Sequence, residues 1–213
     1  MSAETARAIV GHGGVCLLIE ICRTGDSVSQ AAPACTLKNI AAVPKYAAEC
    51  LQNLTASNDN LRWSVIQKGG MRSLLAYLDG PLPQESAVGT LKNLAASVSI
   101  EVLVSLGFLP RLVHVLRSGS LGAQQTAASA ICRVCTSAET KKMVGETGYI
   151  PLLIKMLEAK TNSIREVAAQ ATSSLVTLSQ NCREVKKDDK SVPNLVQLLD
   201  PSPQNTAKKY AVF

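Results

Sequence analysis

An internal repeat of a helix-starting phrase constrains the fold more than any other feature of this sequence. The phrase is a glycine, an apolar pair, a proline and an apolar run. Copies begin at Gly107 and Gly148, a proline-free copy begins at Gly69, and a copy with serine in place of glycine begins at Ser191. Glycine permits the positive φ of a tight turn, and proline suits the first helical position. The apolar residues that follow keep the i, i+3, i+4 spacing of an amphipathic helix. Each copy therefore predicts a turn followed by a helix.

An alanine-rich segment that ends in Leu-x-Asn-Leu, or in a degenerate copy of it, follows each helix start. The asparagine place is occupied by Asn53, Asn93, Arg133 and Thr177, which lie 40, 40 and 44 residues apart. Helical units of about 40–47 residues are typical of armadillo and HEAT solenoids. The period therefore predicts an all-α chain of stacked helical units, in which the alanine-rich segment is the third helix.

In these phrases the chain resembles the armadillo-repeat family, and most closely the plant-type and fungal vacuolar armadillo proteins. The Gly-x-Ile/Leu-Pro-x-Leu-Val starts and the alanine-rich Leu-x-Asn-Leu segments carry the resemblance over nearly the whole chain. It implies a right-handed α-solenoid, with a second helix over 109–118 and a third over 124–137 in one unit. The expected units of this single solenoid are 5–42, 43–58 (third helix only), 59–97, 98–138, 139–181 and 182–213 (incomplete).

The repeat pattern is interrupted near Pro44. Asn39 and Asn53 are 14 residues apart, which is one period of 40 less 26, so one unit has lost roughly its first two helices. We interpret this as a deletion or a spliced isoform, with a distorted junction because proline kinks a continuous helix. The apolar end at 211–213 lacks the polar cap that a solenoid requires, so we expect the chain to be part of a longer protein.

The residue at the asparagine place is predicted to lie on the exposed side of the third helix. At 100° per residue, the leucines at −2 and +1 define the buried side, and positions −4, −1 and 0 point away from it. Stacked units would align these residues into a ladder. The ladder consists of Asn39, Asn53, Asn93, Arg133 and Thr177, with Lys38, Gln52 and Lys92 beside the asparagines.

The resemblance implies that the ladder binds the backbone of an extended peptide. In the armadillo family an asparagine at this place holds such a peptide in a concave groove, since an amide side chain offers both a donor and an acceptor. Simple solvation or turn capping is the alternative. The expected function is a non-enzymatic scaffold or adaptor for a protein with an extended segment. The alternatives are the substrate-binding part of a larger ubiquitin-ligase-type protein, because similar repeats follow a U-box in some family members, and a charge-driven membrane-surface or nucleic-acid binder.

One receptor class of the family fits this sequence poorly. Nuclear-import armadillo receptors carry a tryptophan at position −4, next to an acidic groove that receives a basic signal. Here position −4 holds, in chain order, Cys35, Glu49, Gly89, Ser129 and Ser173. The sequence therefore argues against a classical nuclear-signal receptor.

The sequence offers little for catalysis, metal binding or cofactor chemistry. His12 and His114 are the only histidines, and no carboxylate or nucleophile is placed beside them by the sequence. The pair Cys132-x-x-Cys135 supplies only half of a zinc site and lies late in an alanine-rich helix. We therefore predict no enzymatic activity, no cofactor, no metal and no small-molecule substrate, and we interpret the cysteines as reduced core thiols.

The net charge of +6 belongs to the C-terminal half of the chain. Residues 1–106 contain 8 Lys+Arg and 8 Asp+Glu, whereas residues 107–213 contain 14 and 8. Nucleic-acid surfaces interleave arginine and aromatic side chains, which are scarce here, so the pattern disfavours nucleic acid and leaves weak membrane-surface contact as an alternative. No apolar run approaches ~18 residues and no secretory signal is seen, so the expected location is the cytoplasm, with the nucleus as a second compartment.

Overall fold

The computed structural model describes residues 47–56, 59–79, 85–187 and 189–197, and all regular secondary structure within these ranges is helical. The chain divides into two compact units, Met1–Arg111 and Leu112–Phe213. The expected repeat 5–42, the Pro44 junction and the apolar end at 211–213 lie outside the described residues. The expectation of an all-α chain is confirmed.

The helices of unit 1 follow one another with short connections. Helix α1 covers the described residues 47–56. The remaining helices of this unit are α2 (Asp59–Gln67), α3 (Gly70–Leu78), α4 (Glu85–Leu94) and α5 (Ile100–Ser105). A 3₁₀ turn, Ala95–Ser97, follows α4. Helix α6 (Phe108–Ser118) contains the boundary between the two units.

Unit 2 continues the succession of shorter and longer helices. Its helices are α7 (Leu121–Val134), α8 (Ala138–Glu146), α9 (Tyr149–Leu157), α10 (Asn162–Val176), α11 (Ser179–Lys187) and α12 (Ser191–Gln197). The alanine-rich segments form α1, α4, α7 and α10, which we call the third helices. Helix α11 begins three residues before the expected start of the last repeat at 182.

The first phrase folds as a left-handed glycine followed by a helix. Gly69, Gly107 and Gly148 have φ values of 76°, 68° and 86°, and a helix begins directly after each. A side chain with a Cβ is strained in this region of backbone space, so glycine is required at the turn. The predicted turn-then-helix is confirmed at all three.

The prolines of this phrase are one correction to the sequence prediction. Pro110, Pro151 and Pro193 each occupy the third residue of their helix rather than the first. The first four N–H groups of a helix have no partner within that helix, so a proline at the third position also sacrifices no helical hydrogen bond. The phrase therefore starts its helix two residues earlier than the proline alone suggests.

Helix α7 is a second correction, because it begins three residues before the predicted 124 and ends at Val134 rather than 137. The reason is an N-cap: the Ser120 hydroxyl accepts a hydrogen bond from the Ala123 N–H at 3.2 Å. Serine is among the best N-cap residues since its oxygen satisfies one of the unpaired N–H groups of the first turn. The second helix, predicted over 109–118, begins one residue early at Phe108.

Small side chains allow the two third helices of unit 2 to pack closely. Helices α7 and α10 contact each other, and their alanines at 127, 128, 130, 168, 169 and 171 are fully buried. The apolar residues predicted for the buried side, Ile131 and Leu175, are also fully buried. The ladder residues of these two helices, Arg133 and Thr177, are exposed.

Candidate peptide-binding face

Polar contacts join the two third helices of unit 1. The Thr90 hydroxyl on α4 lies 3.1 Å from the carbonyl oxygen of Ala48 on α1. Asn93 Nδ2 donates to the carbonyl oxygen of Gln52 at 3.1 Å and to Thr55 Oγ1 at 3.3 Å. These residues are separated by 38 to 42 positions, about one repeat length, so the contacts join corresponding positions of successive third helices and hold α1 and α4 in register.

The predicted exposure of Asn93 is wrong. Only 8% of this residue is exposed, because its amide nitrogen is turned toward α1. Asn53, the same place on α1, is exposed as predicted. The helical wheel of a single helix placed both asparagines outward, since it contains no information on the neighbouring third helix.

The flanking residues Gln52 and Lys92 are half-buried, whereas the sequence placed them on an open surface. Gly89 has no side chain, and this leaves room for the side chain of Gln52. A Cβ on Gly89 would lie 2.5 Å from Gln52 Cδ and Nε2, so the glutamine side chain lies directly over the α4 backbone. Position −4 of α4 is therefore covered by a side chain of α1.

In unit 2 the ladder place is occupied by a cation and a hydroxyl. Arg133, near the end of α7, is exposed and takes part in none of the hydrogen bonds or ion pairs found among the described residues. Thr177, at the C-cap of α10, is exposed and donates to the carbonyl oxygen of Ser174 at 2.9 Å. Its Oγ1 accepts a hydrogen bond from Lys141 Nζ, also at 2.9 Å. Lys141 therefore adds a second cation to this part of the face.

The buried side-chain amide of Asn181 joins helices α8, α10 and α11. Asn181 on α11 is 2% exposed, and its Nδ2 donates to the carbonyl oxygens of Lys141 at 2.8 Å and Leu175 at 3.1 Å. Sequence reasoning missed Asn181. The signal was Gly145, a glycine within a helix: a Cβ there would lie 2.0 Å from Asn181 Oδ1.

The remaining ladder residues, Asn39 and Lys38, lie outside the described residues. We call the surface formed by positions −4, −1 and 0 of the third helices the third-helix face. In unit 1 its members are Glu49, Gln52, Asn53, Gly89, Lys92 and Asn93. In unit 2 they are Ser129, Cys132, Arg133, Ser173, Val176 and Thr177, with Lys141 bound to Thr177.

Of the Cys132-x-x-Cys135 pair, Cys135 is buried, as the sequence predicted, and Cys132 is half-buried. Burial raises the pKa of the Cys132 thiol to about 11. The pKa of Cys135 is raised to about 12, mainly by burial and secondarily by Cys132, while Lys141 acts in the opposite direction. The raised pKa values keep both thiols protonated at neutral pH, and a cysteine reacts as its thiolate.

We expect Cys132 and Cys135 to react slowly with iodoacetamide at pH 8. Relative to an ordinary thiol of pKa 9.0, a pKa of about 11 lowers the thiolate fraction of Cys132 roughly 100-fold. Mass spectrometry after timed alkylation, in native buffer and in 8 M urea, gives the rate for each cysteine-containing peptide. Equal rates in the two solvents would contradict the burial of the pair.

The described residues hold no group of three or more histidine, cysteine or acidic side chains that could bind a metal ion. Among the helices in the same ranges, none is long and apolar enough to span a bilayer. A surface pocket of about 340 Å³ lies beside α8, α9 and α11, lined by Ile150, Pro151 and Asn181 among others. Its two carboxylates, Glu146 and Glu184, each pair with a lysine of their own helix.

Comparison with known proteins identified a repeat family and longer curated relatives that resemble this chain. Residues 98–136 match the armadillo/beta-catenin-like repeat family. A 154-residue stretch is 29% identical to U-box domain-containing protein 8 of Arabidopsis thaliana, covering 70% of this chain and 41% of that protein. A 112-residue stretch is 27% identical to importin subunit alpha-1b of Oryza sativa subsp. japonica, covering 52% of this chain and 21% of that protein. The chain thus spans less than half the length of either relative.

Solved structures with the same fold include designed proteins. The crystal structure of computationally designed armadillo repeat proteins for modular peptide recognition aligns over 98% of this chain and 84% of its own, at a TM-score of 0.75 and 20% identity. A designed armadillo repeat protein in complex with the peptide (KR)4 aligns over 92% of this chain and 78% of its own, at a TM-score of 0.71 and 19% identity. The armadillo-repeat fold expected from the sequence is confirmed.

Proposed function

We propose that this chain, an armadillo-repeat protein in fold and in sequence, is a non-catalytic binding protein that holds an extended segment of another protein on its third-helix face. The observation that supports this most is the polar and accessible ladder place: Asn53 in unit 1, and Arg133 and Thr177 in unit 2, are exposed. Each lies on the side of its helix opposite the fully buried apolar residues.

The chemistry of the face suits an extended main chain. An extended peptide presents N–H and C=O groups at a short repeat along its length, and side-chain amides, hydroxyls and guanidinium groups can pair with them. The side chains are supplied by helices, whose packing fixes their spacing better than a loop would. The likeness to designed armadillo proteins made for peptide recognition supports the same use of the fold.

The proposal is tested by selecting linear peptides from a random display library with the wild-type chain as bait. We expect selected peptides to bind at micromolar affinity or better. The variants Asn53→Ala and Arg133→Ala should weaken binding about 5- to 30-fold, as loss of a contact of about 1–2 kcal/mol would. Isothermal titration calorimetry gives each dissociation constant.

Matched controls are available on other surfaces. Asn60→Ala on α2 and Arg117→Ala on α6 remove the same side-chain types at exposed positions outside the third helices, and should leave affinity unchanged. Circular dichroism must show equal helicity for all four variants. Failure to select any linear peptide would reject the proposal, as would control variants that weaken binding as much as the ladder variants.

A second candidate function is the substrate-recruiting region of a larger U-box protein. The observation that favours it is the 29% identity to a U-box domain-containing protein over 70% of this chain. Sequencing full-length transcripts that contain this coding region tests it. A U-box joined to this chain in the mature message would support recruitment of a substrate for ubiquitin transfer. Full-length messages that encode no U-box would remove this candidate and leave the adaptor function.

A further inference from the structure

The positive charge of unit 2 is not evenly neutralised. Three carboxylates of its described residues already pair with lysines away from the third helices. The ion pairs are Lys142–Glu146 at 3.9 Å, Lys187–Glu184 at 2.6 Å and Lys190–Glu158 at 4.0 Å. Within the described residues, neither Arg133 nor Lys141 forms an ion pair, and the Lys141 ammonium group bonds to the Thr177 hydroxyl. The third-helix face of this unit therefore carries two cations without an acidic partner.

The two cations belong to one small region. Lys141 Nζ is held at 2.9 Å from Thr177 Oγ1, at the C-terminal end of α10. Lys141 lies on α8, which begins at Ala138, four residues after α7 ends at Val134. The ends of α7 and α10 are also joined by a hydrogen bond from Ser174 Oγ to the Cys135 carbonyl oxygen at 3.4 Å. One short stretch of ligand can therefore reach both cations.

The partial negative charge at a helix C-terminus makes these favourable positions for cations. That interaction involves the positive charges of Arg133 and Lys141 but leaves most of their N–H donors available for hydrogen bonds. A guanidinium group has five N–H donors, and those of Arg133 form no hydrogen bond within the described residues. Lys141 donates to one hydroxyl and has donors to spare. Charge-assisted bonds from such groups to carboxylates are shorter and stronger than neutral ones.

We infer that the segment bound on the third-helix face of unit 2 is acidic, with aspartate or glutamate side chains that pair with Arg133 and Lys141. This rests on the proposed function and specifies its ligand. The peptide in the complex of a designed armadillo repeat protein is, by contrast, the basic (KR)4. The face of unit 2 would repel a basic segment, since like charges brought together at an interface disfavour binding.

The inference is tested with three fluorescent octapeptides: (ED)4, (KR)4 and the neutral (SN)4. Fluorescence anisotropy at ~0.15 M salt measures their binding to the wild-type chain and to two variants of identical net charge. One is Arg133→Gln/Lys141→Gln. The control is Arg183→Gln/Lys186→Gln, which removes two exposed cations of α11 that do not belong to the third-helix face. We expect (ED)4 to bind, (KR)4 not to bind, and the first variant to weaken binding at least about ten-fold more than the control.

Three results would overturn the inference. Equal weakening by the two variants would mean that the acidic peptide is attracted by net charge alone, because long-range attraction does not distinguish the two positions. Binding of (KR)4 as tight as that of (ED)4 would remove the charge preference. The proposed function has its own test, the random-peptide selection. It is rejected if that selection yields no ligand, whether or not the octapeptides bind. Neutral library ligands that depend on Arg133 would keep the proposed function and reject the acidic partner.

Discussion

Replacing Gly145 by alanine is expected to destabilise unit 2 by about 1–3 kcal/mol, although alanine is the better helix former by about 1 kcal/mol. The added Cβ would lie 2.0 Å from Asn181 Oδ1 and 2.8 Å from Asn181 Cγ, which is closer than non-bonded atoms approach. Asn181 cannot turn aside without losing its hydrogen bonds to Lys141 and Leu175. Buried hydrogen bonds cost about 1–3 kcal/mol each when one partner is left unsatisfied.

A double-mutant cycle separates the collision from helix propensity. In an Asn181→Ala background the obstructing side chain is gone, so Gly145→Ala should be neutral or stabilising by up to about 1 kcal/mol. Urea unfolding, followed by circular dichroism, gives the free energy of unfolding for all four chains. The account is contradicted if Gly145→Ala stabilises the wild-type chain, or if its effect is the same in both backgrounds.

Leu175→Ala is expected to have the largest effect of any single truncation considered, about 2–5 kcal/mol. Leu175 is fully buried on α10, and its removal leaves a cavity on the buried side of a third helix. Leu121 provides the control, because it lies on the neighbouring third helix α7 and is 62% exposed. The same truncation at Leu121 should change stability by no more than about 0.5 kcal/mol.

Native-state hydrogen exchange is the suitable measurement for this pair, since stacked repeats can open locally. The Leu175→Ala chain should show faster exchange of amides in α10 and α7, and the Leu121→Ala chain should exchange like the wild type. Similar exchange in both variants would mean that the packing of α7 against α10 is not the source of stability in unit 2.

The helices could be predicted from the sequence because their signals are local. A left-handed glycine at Gly107 or Gly148 and the apolar spacing after it determine a helix start within a few residues. The differences between prediction and structure are also local in origin. A helix start at 124 neglects the N-cap at Ser120, and a first-position proline neglects that the first turn tolerates proline at the third position.

The details of the candidate site could not be predicted in the same way, because they depend on contacts between successive repeats within each unit. Asn93 is buried by its bond to Gln52, 41 residues away in the sequence. Asn181 is positioned by Lys141, 40 residues away, and by the space that Gly145 provides. A helical wheel describes one helix in isolation, so it places Asn93 and Asn53 alike and gives no sign of Asn181.

Photo-cross-linking of a library-selected peptide tests the central claim, binding on the third-helix face, most directly. A photoreactive benzoylphenylalanine is placed at each position of the peptide in turn, and the attachment sites are located by mass spectrometry. We predict cross-links to the surface that contains Arg133 and Thr177 in unit 2, or Asn53 in unit 1, and their loss on competition with unlabelled peptide. Attachment confined to α6, α9 or α11, with none on a third helix, would contradict the account.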